Sequence, residues 1–162
     1  MLTRELDNSL FESYSEDIPV ILKRVYAARA VSESQLSMAL PGLLKPSFDQ
    51  LNIALDLLER CILEDQRILI VGDFDADGAT ASAVAIKALR LMGAKHVDFL
   101  VPNRFKHGYG LSPEIVQEAK TDKNPNLIIT VDNGISSNEG AALARSLDID
   151  VIITDHHLPP KV

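Results

Sequence analysis

Three short apolar runs in this chain are each followed at once by a polar, mostly acidic cluster. The runs are Ile68–Val71, Leu127–Val131 and Val151–Thr154. Each is too short for a helix and rich in β-branched residues, so each predicts a buried β-strand. Parallel strands end at one edge of their sheet, and binding sites form beyond that edge. The pattern therefore predicts a sheet whose functional side chains gather at one edge.

The segments between the runs have helical character. Ala79–Met92 and Pro113–Lys120 show helical spacing, with Ser112 as the expected N-cap of the second. Ser136 and Glu139 have the spacing of a capping box at the start of a further helix. Continuous apolar strands that alternate with helices indicate an α/β fold, a Rossmann-like parallel sheet with helices on both faces.

The position of the acids also predicts the strand order. A further strand, Val97–Val101, has no acidic cluster after it and is second along the chain. The acid-bearing strands must be neighbours if their clusters converge, which predicts the order 2-1-3-4. Asp75 and Asp132, which follow the first and third strands, should then lie close together.

The first 66 residues have a different residue pattern from the rest of the chain and predict a small helical segment. One apolar stripe follows Asp17, an expected N-cap, and Pro19 in the first turn. This first stripe consists of Ile18, Ile21, Leu22, Val25 and Tyr26. A second apolar stripe consists of Leu51, Leu55, Leu58 and Ile62. Pro41-Gly42 and Lys45-Pro46 indicate a loop between them. We divide the chain into a helical segment, residues 1–66, and an α/β catalytic domain, residues 67–162, truncated at its carboxy end.

Charge and cysteine content narrow the partners and the compartment. The net charge of −7 argues against a nucleic-acid partner, but residues 67–162 hold ten Lys/Arg and twelve Asp/Glu. Five of those acids belong to the clusters, and bound cations would leave ten basic residues against seven acidic ones. The single Cys61 excludes an intrachain disulfide, fits a cytoplasmic compartment and is expected in the core. Neither a signal peptide nor a membrane span is expected.

The acidic clusters predict a metal site. They are Asp73-Phe74-Asp75-Ala76-Asp77-Gly78, Asp132-Asn133-Gly134 and Asp155-His156-His157. Carboxylates gathered at one sheet edge repel one another unless cations lie between them. Carboxylates with imidazole suit Mn²⁺ or Mg²⁺, whereas the lack of thiolates argues against structural zinc.

Two other interpretations of the first cluster are weaker. An EF-hand calcium loop needs a bidentate Glu at its twelfth position, where this chain has Val84. The haloacid-dehalogenase phosphatases also place Asp-x-Asp after a strand, and remain the alternative enzyme class. They do not account for the His pair, and Thr80 lies one residue later than their motif requires.

Together the clusters resemble the first three motifs of the DHH phosphoesterase superfamily, whose members include manganese pyrophosphatases, oligoribonucleases and RecJ-type exonucleases. Four stretches are similar to the RecJ type in particular. They are Val71–Thr80, Val101–Phe105, Gly108–Pro113 and Thr130–Ser136. The resemblance runs from about Ile68 to Pro159 and extends more weakly through the helical segment.

The resemblance implies a role for each motif residue. It makes Asp75 and Asp77 ligands of two different metal ions, Asp132 a bridge between them, and His156 a further ligand. Two such ions activate water and stabilise a leaving oxygen. His157 would contact the scissile phosphate or support a ligand.

The remaining implied roles are less direct. Asp73 and Asp155 would orient ligands or cap the following turns. In the loop that follows the second strand, Arg104 and Tyr109 would contact DNA, through phosphate and a stacked base respectively.

The implied activity is metal-dependent hydrolysis of single-stranded DNA from the 5′ end, with two Mn²⁺ or Mg²⁺ ions, in DNA repair and recombination. Single-strand-binding proteins and helicases are candidate protein partners, and no membrane is involved. The family has a fourth metal-ligand motif and a DHHA1 domain downstream, so we expect a fragment with little activity alone. A phosphodiesterase for small nucleotides and a non-catalytic interaction module are the alternatives.

Overall fold

The computed structural model of the protein describes residues 5–36 and 50–159. It contains two compact units, Met1–Phe48 and Asp49–Val162. In the described residues, no helix has the length and apolar character needed to cross a membrane. The expected loop at Pro41-Gly42 and Lys45-Pro46 lies outside the described residues.

The first unit contains short helices, as its pattern of apolar residues predicted. They are α1 Asn8–Ser13, α2 Val20–Ala27 and a 3-10 helix Glu33–Leu36. Tyr14 is buried, its ring lies 6.3 Å from that of Tyr26, and its hydroxyl donates to the carbonyl of Val31. This aromatic pair is the centre of a small unit with few other buried side chains among its described residues.

The predicted start of the second helix is wrong. Its N-cap is Pro19, not Asp17, and Pro19 has an extended backbone with ψ of 137°. The helix therefore begins after the proline, too far along the chain for the Asp17 carboxylate to cap it. A capping aspartate does occur one helix earlier, where Asp7 accepts a hydrogen bond from the Leu10 amide at 3.0 Å.

The second unit is an α/β layer structure, as predicted. Its elements are α3 Leu51–Leu63, β1 Arg67–Gly72, α4 Ala76–Leu91, β2 His96–Leu100, α5 Arg104–His107, α6 Pro113–Asp122, β3 Leu127–Val131, α7 Asn138–Ser146 and β4 Asp150–Thr154. All strand pairs are parallel and the order is β2-β1-β3-β4, which confirms the predicted order 2-1-3-4. The two central strands are thus the ones that lead into the first two acidic clusters.

Two apolar layers cover the sheet. Against one face, Cys61 of α3 and Leu89 of α4 pack on a buried cluster that includes Ile70 of β1. Against the other, Ile115 of α6 and Ala144 of α7 pack on residues of β1 and β3. Each fully buried aliphatic side chain stabilises the fold by about 1.5–3 kcal/mol. Cys61 is fully buried and free, which confirms the expected core thiol.

The boundary between the two compact units does not fall at residue 66, where the residue pattern indicated a division. Helix α3 clusters with the sheet, because its partly buried residues Leu57, Leu58 and Ile62 pack on the core of the second unit. The functional division into residues 1–66 and 67–162 stays a prediction.

The start of helix α7 also differs from the capping-box prediction. Its N-cap is Ser137, one residue later than Ser136, and no side chain caps it. The Ser137 hydroxyl instead accepts a hydrogen bond from the Leu111 amide at 3.0 Å. A tertiary contact with the segment before α6 has thus replaced the local capping bond.

Candidate metal centre

The acidic clusters meet at the carboxyl edge of the sheet. In β1 and β3, Gly72 lies beside Val131, so the residues that follow the two strands emerge together. Carboxylate oxygens of Asp73, Asp75 and Asp132 lie within 4.8 Å of one another. This is the convergence that the strand order required.

A tight turn between β1 and α4 holds the first two acids. Asp73 is nearly buried and its Oδ1 accepts a hydrogen bond from the Phe74 amide at 2.8 Å. Asp75 is the N-cap of α4, and its Oδ1 accepts from the Gly78 amide at 3.1 Å. This cap starts the helix at Ala76, three residues before the predicted Ala79. The helix start thus fixes the orientation of Asp75.

Asp132 is the most constrained acid of the centre. Its φ is +63°, a left-handed backbone conformation that residues other than glycine rarely adopt and that recurs at functional sites. Its amide donates to the Thr154 carbonyl at 3.0 Å, which ties the end of β3 to β4. Its side chain is buried, yet Oδ1 lies 2.8 Å from His156 Nε2.

The electrostatics of Asp132 favour a bound cation. Burial raises the pKa of this carboxyl, and the charges of Asp77 and Asp75 raise it further. The hydrogen bond from His156 opposes these effects only in part, because the net pKa remains above its usual range. A divalent cation would offset this repulsion and lower the pKa of the carboxyl.

The two histidines reach the centre from the end of β4. Ligand atoms of Asp132, His156 and His157 lie within 4.8 Å of one another. His156 Nε2 is also 4.0 Å from Asp77 Oδ2, in the first turn of α4. His156 therefore lies between the acid of β3 and the exposed acid of α4.

Asp155 orients the second histidine. Its Oδ1 accepts from the His157 amide at 3.1 Å and lies 2.7 Å from His157 Nδ1. Its Oδ2 accepts from the Ile135 amide at 3.0 Å, which also anchors the loop after β3. The carboxylate accepts a hydrogen bond from Nδ1–H, so Nε2 is the ring nitrogen left to face a ligand or substrate.

These hydrogen bonds shift both pKa values. Burial alone would raise the pKa of Asp155, but the bonds from Ile135 and His157 hold it below its usual range. The bond to Asp155 raises the pKa of His157. His157 therefore holds positive charge to a higher pH than an ordinary histidine does.

The loop after β2 contributes Tyr109. Its hydroxyl donates to the Asp132 carbonyl at 3.1 Å and lies 3.3 Å from His157 Nδ1, with the two rings edge to face. The sequence predicts DNA contact by this loop, and in the structure Tyr109 also touches the centre itself. The ring is about half exposed. The side chain of Arg104, the other expected DNA contact, lies outside what the structure describes.

Asn133, for which the sequence predicts no role, links two strands in the structure. Its side chain is buried, and Nδ2 donates to the carbonyls of Val71 at 3.0 Å and Val131 at 2.9 Å. Asn133 thereby joins the ends of the two strands that position Asp73 and Asp132. An uncharged amide in an otherwise acidic cluster was the available signal, since only a donor side chain can satisfy two buried carbonyls.

The side chains present fit a hard or borderline divalent cation. The centre's described residues offer carboxylates and imidazoles and no thiolate, a set that suits Mn²⁺ or Mg²⁺. The raised pKa of the buried Asp132, to which the charges of Asp77 and Asp75 contribute, also fits a bound cation. The ligand roles of Asp75, Asp77, Asp132 and His156 remain predictions.

The parallel sheet, with carboxylates and imidazoles at its carboxyl edge, places this chain in the class of α/β proteins that have a cation site at that edge. Comparison with known proteins gives the family. The family model "DHH family, N-terminal domain" matches residues 67–162. The chain belongs to the DHH family.

Its relatives are RecJ proteins. It is 46% identical over 158 residues to the single-stranded-DNA-specific exonuclease RecJ of Escherichia coli (strain K12), covering 96% of this chain and 27% of that protein. It is 48% identical over 145 residues to that of Salmonella typhimurium, covering 88% of this chain and 25% of the relative. The chain thus spans about a quarter of these relatives, and the RecJ-type resemblance is confirmed.

Solved structures agree with the sequence comparison. A crystal structure of exonuclease RecJ bound to manganese matches with a TM-score of 0.63 and 37% identity, over 74% of this chain and 30% of that one. The crystal structure of RecJ in complex with Mn²⁺ from Thermus thermophilus matches with a TM-score of 0.65 and 28% identity, over 95% of this chain and 21% of that one. Both matches confirm the predicted α/β fold.

Proposed function

We propose that this chain supplies part of the catalytic centre of a metal-dependent exonuclease that degrades single-stranded DNA from the 5′ end. The observation that carries the proposal is the meeting of Asp73, Asp75 and Asp132 with His156 at one sheet edge. Relatives named as single-stranded-DNA-specific exonucleases support the substrate, and manganese-bound RecJ structures support the ion.

We assign Asp75, Asp77, Asp132 and His156 as the residues that hold two Mn²⁺ ions. When bound, such ions activate water and stabilise the charge on the leaving oxygen. Asp132 is the best candidate for a bridge, because it lies between Asp75 on one side and His156 on the other. Manganese is preferred to magnesium because an imidazole accompanies the carboxylates.

The other polar residues position the reacting groups. Asp155 holds His157 in one ring orientation, and the raised pKa of His157 favours a positive charge beside a phosphate. Tyr109 braces the same ring and offers an exposed aromatic face on which an unpaired base can stack. Arg104 remains a proposed phosphate contact on sequence grounds alone.

A cytoplasmic role in DNA repair and recombination follows from this activity. Single-strand-binding proteins and helicases, which produce or cover single-stranded DNA, are the proposed protein partners. The alternatives are a phosphodiesterase for small nucleotides and a non-catalytic module, and both can be separated from the main proposal by substrate.

Metal binding tests the site directly. Isothermal titration of Mn²⁺ into the metal-free chain should show loss of binding for Asp132→Asn and His156→Ala, and a smaller loss for Asp73→Asn. Asp122→Asn is the matched control, because it removes an exposed carboxylate in the last turn of α6. Equal effects of Asp132→Asn and Asp122→Asn would contradict the assignment.

Substrate tests the reaction. In a full-length RecJ protein that carries these residues, single-turnover digestion of labelled DNA with Mn²⁺ should release nucleotides from 5′-ended single strands, and Asp132→Ala should cost more turnover than Asp73→Ala. Faster cleavage of a linear dinucleotide than of a long strand would favour the small-nucleotide alternative. Metal binding without cleavage of either would favour the non-catalytic one.

A further inference from the structure

A basic cleft opens at the amino-terminal edge of the sheet. It has a volume of about 460 Å³. Its basic side chains are Arg67, Arg90, Lys95, His96 and Lys123. Four of the ten Lys and Arg residues that follow residue 66 thus line one cleft, although the whole chain has a net charge of −7. We call it the amino-edge cleft.

The cleft is separate from the candidate metal centre. Arg67 is the first residue of β1 and lies beside His96, the first residue of β2. Asp73 of the metal centre follows the opposite end of β1. A strand of six residues is about 20 Å long, so the two sites lie at opposite edges of the sheet.

The two lysines of the cleft are balanced by acids. Lys95 Nζ lies 2.6 Å from Asp65 Oδ2, and Lys123 Nζ lies 2.7 Å from Asp98 Oδ2. All four side chains are partly exposed. Lys95, Lys123 and Asp98 line the cleft, and the two pairs contribute little net charge.

The two arginines are held in a different way. Arg67 Nε donates to the Asn124 carbonyl at 2.6 Å, and an Arg90 terminal nitrogen donates to the Val97 carbonyl at 3.2 Å. A carbonyl orients a guanidinium without cancelling its charge, although Asp98, the partner of Lys123, also interacts with the charge of Arg90. Each arginine keeps further N–H donors, which form the planar fork that suits phosphate oxygens.

The cleft lining indicates the kind of anion. None of its described lining residues is a Phe, Tyr or Trp, so it offers no large aromatic surface for base stacking. Its aliphatic residues Ile68, Leu69 and Val97 are buried, so they offer no exposed apolar anchor for the side chains of an acidic peptide. The oriented guanidinium groups of Arg67 and Arg90 are what remains for recognition.

We infer that the amino-edge cleft binds the phosphate backbone of nucleic acid without regard to base sequence, through Arg67 and Arg90. Phosphate contacts position a nucleic acid and carry no sequence information. A single strand held here, about 20 Å from the metal centre, would stay on the protein between cleavage steps.

The test measures binding without metal, so that it does not depend on the proposed hydrolysis. Fluorescence anisotropy would follow a labelled oligothymidylate with the 162-residue chain in EDTA, over a range of salt concentrations. Arg67→Gln with Arg90→Gln should weaken binding about tenfold, and the loss of two phosphate contacts should reduce the log–log salt slope by about 1.4. A mixed-sequence strand should bind as well as oligothymidylate.

The matched control is Lys87→Gln with Arg145→Gln, which removes two exposed positive charges from α4 and α7 outside the cleft. It should change the affinity less than about twofold, because neither side chain lines the cleft. Equal weakening by both double variants, or no weakening by the cleft variant, would overturn the inference. Tighter binding of polyglutamate than of DNA to the wild-type chain, lost in the cleft variant, would also overturn it in favour of an acidic peptide.

A second measurement covers the case in which the cleft variant unfolds. In the wild-type chain, the His96 amide signal in a two-dimensional NMR spectrum should shift when the DNA is added in EDTA. An unshifted His96 signal under conditions of saturated binding would overturn the inference.

Discussion

At the residue scale, Gly78 shows how contact restricts a position more than helix propensity does. It lies in the first turn of α4, and a Cβ built there would be 2.5 Å from the Asp73 carbonyl oxygen and 2.7 Å from the Asp73 nitrogen. Both atoms are backbone and cannot swing away. The close approach places the start of α4 directly against the turn that holds Asp73 and Asp75.

Gly78→Ala should therefore destabilise the fold. In an open helix, glycine to alanine stabilises by up to about 1 kcal/mol. Here we expect a loss of about 1–3 kcal/mol, the range of an overpacked core substitution, and weaker Mn²⁺ binding. Urea unfolding would measure the first effect and metal titration the second. Unchanged or increased stability would show that the turn can open without cost.

At the scale of elements, the join between the Gly108–Ser112 segment and α7 decides where Tyr109 lies. The Ser137 hydroxyl accepts from the Leu111 amide at 3.0 Å, and a Cβ on Gly140 would lie 1.8 Å from the Leu111 carbonyl oxygen. This close packing holds the segment against the helix. Tyr109, two residues before Leu111, is thereby kept beside His157.

Ser137→Ala should loosen this join, while Ser136→Ala should not. Loss of the partly buried acceptor leaves the Leu111 amide without its partner, which costs about 1 kcal/mol or more. Amide hydrogen exchange should become faster at Leu111 in the Ser137 variant only. If the Ser136 variant had the larger effect, the capping-box prediction would be restored and the observed N-cap would be in doubt.

The connection between β2 and α6 has a pH-dependent component. The pKa of Asp98 is lowered most by the hydrogen bond from Lys123 and further by the one from the Phe99 amide. A carboxyl with a lowered folded-state pKa stabilises the fold above its unfolded pKa of about 4 and loses that contribution as the pH falls through the lower folded value.

Lys123→Gln should raise the Asp98 pKa toward its usual value. The variant should also lose less stability than wild type between about pH 5 and pH 2, because the pair that acid would break is already absent. Carboxyl NMR titration and urea midpoints at several pH values would measure the two effects. Parallel stability curves for the two proteins would show that this pair contributes nothing measurable, as many exposed pairs do.

At the scale of the whole molecule, the chain spans about a quarter of the RecJ relatives that it matches. We expect these 162 residues to fold by themselves and to hydrolyse little DNA, because they correspond to only about a quarter of relatives that are named as exonucleases. An incompletely held ion positions its substrate poorly. Single-turnover digestion of 5′-labelled single-stranded DNA, with excess Mn²⁺, would compare these residues with a full-length RecJ protein that carries them. Equal rates would show that three motifs suffice.

The sequence by itself determined the local pattern of the α/β unit. The bounds of Leu127–Val131 agree with the structure, and the other predicted strands differ by one residue at one end or both. Runs of apolar residues with turn residues after them are strong signals, because burial on both faces leaves no room for polar side chains. The clusters at Asp73, Asp132 and Asp155 could be placed because each follows such a run directly.

Only the tertiary structure decided which distant groups meet. Asn133 joins two strand ends, Ser137 bonds to Leu111, and Tyr109 lies against His157. None of these contacts has a periodic signal in the sequence, because each joins segments brought together by the fold. The capping-box prediction at Ser136 was wrong for the same reason. A serine hydroxyl is equally able to cap its own helix and to bond a neighbouring segment, and tertiary packing selects between the two.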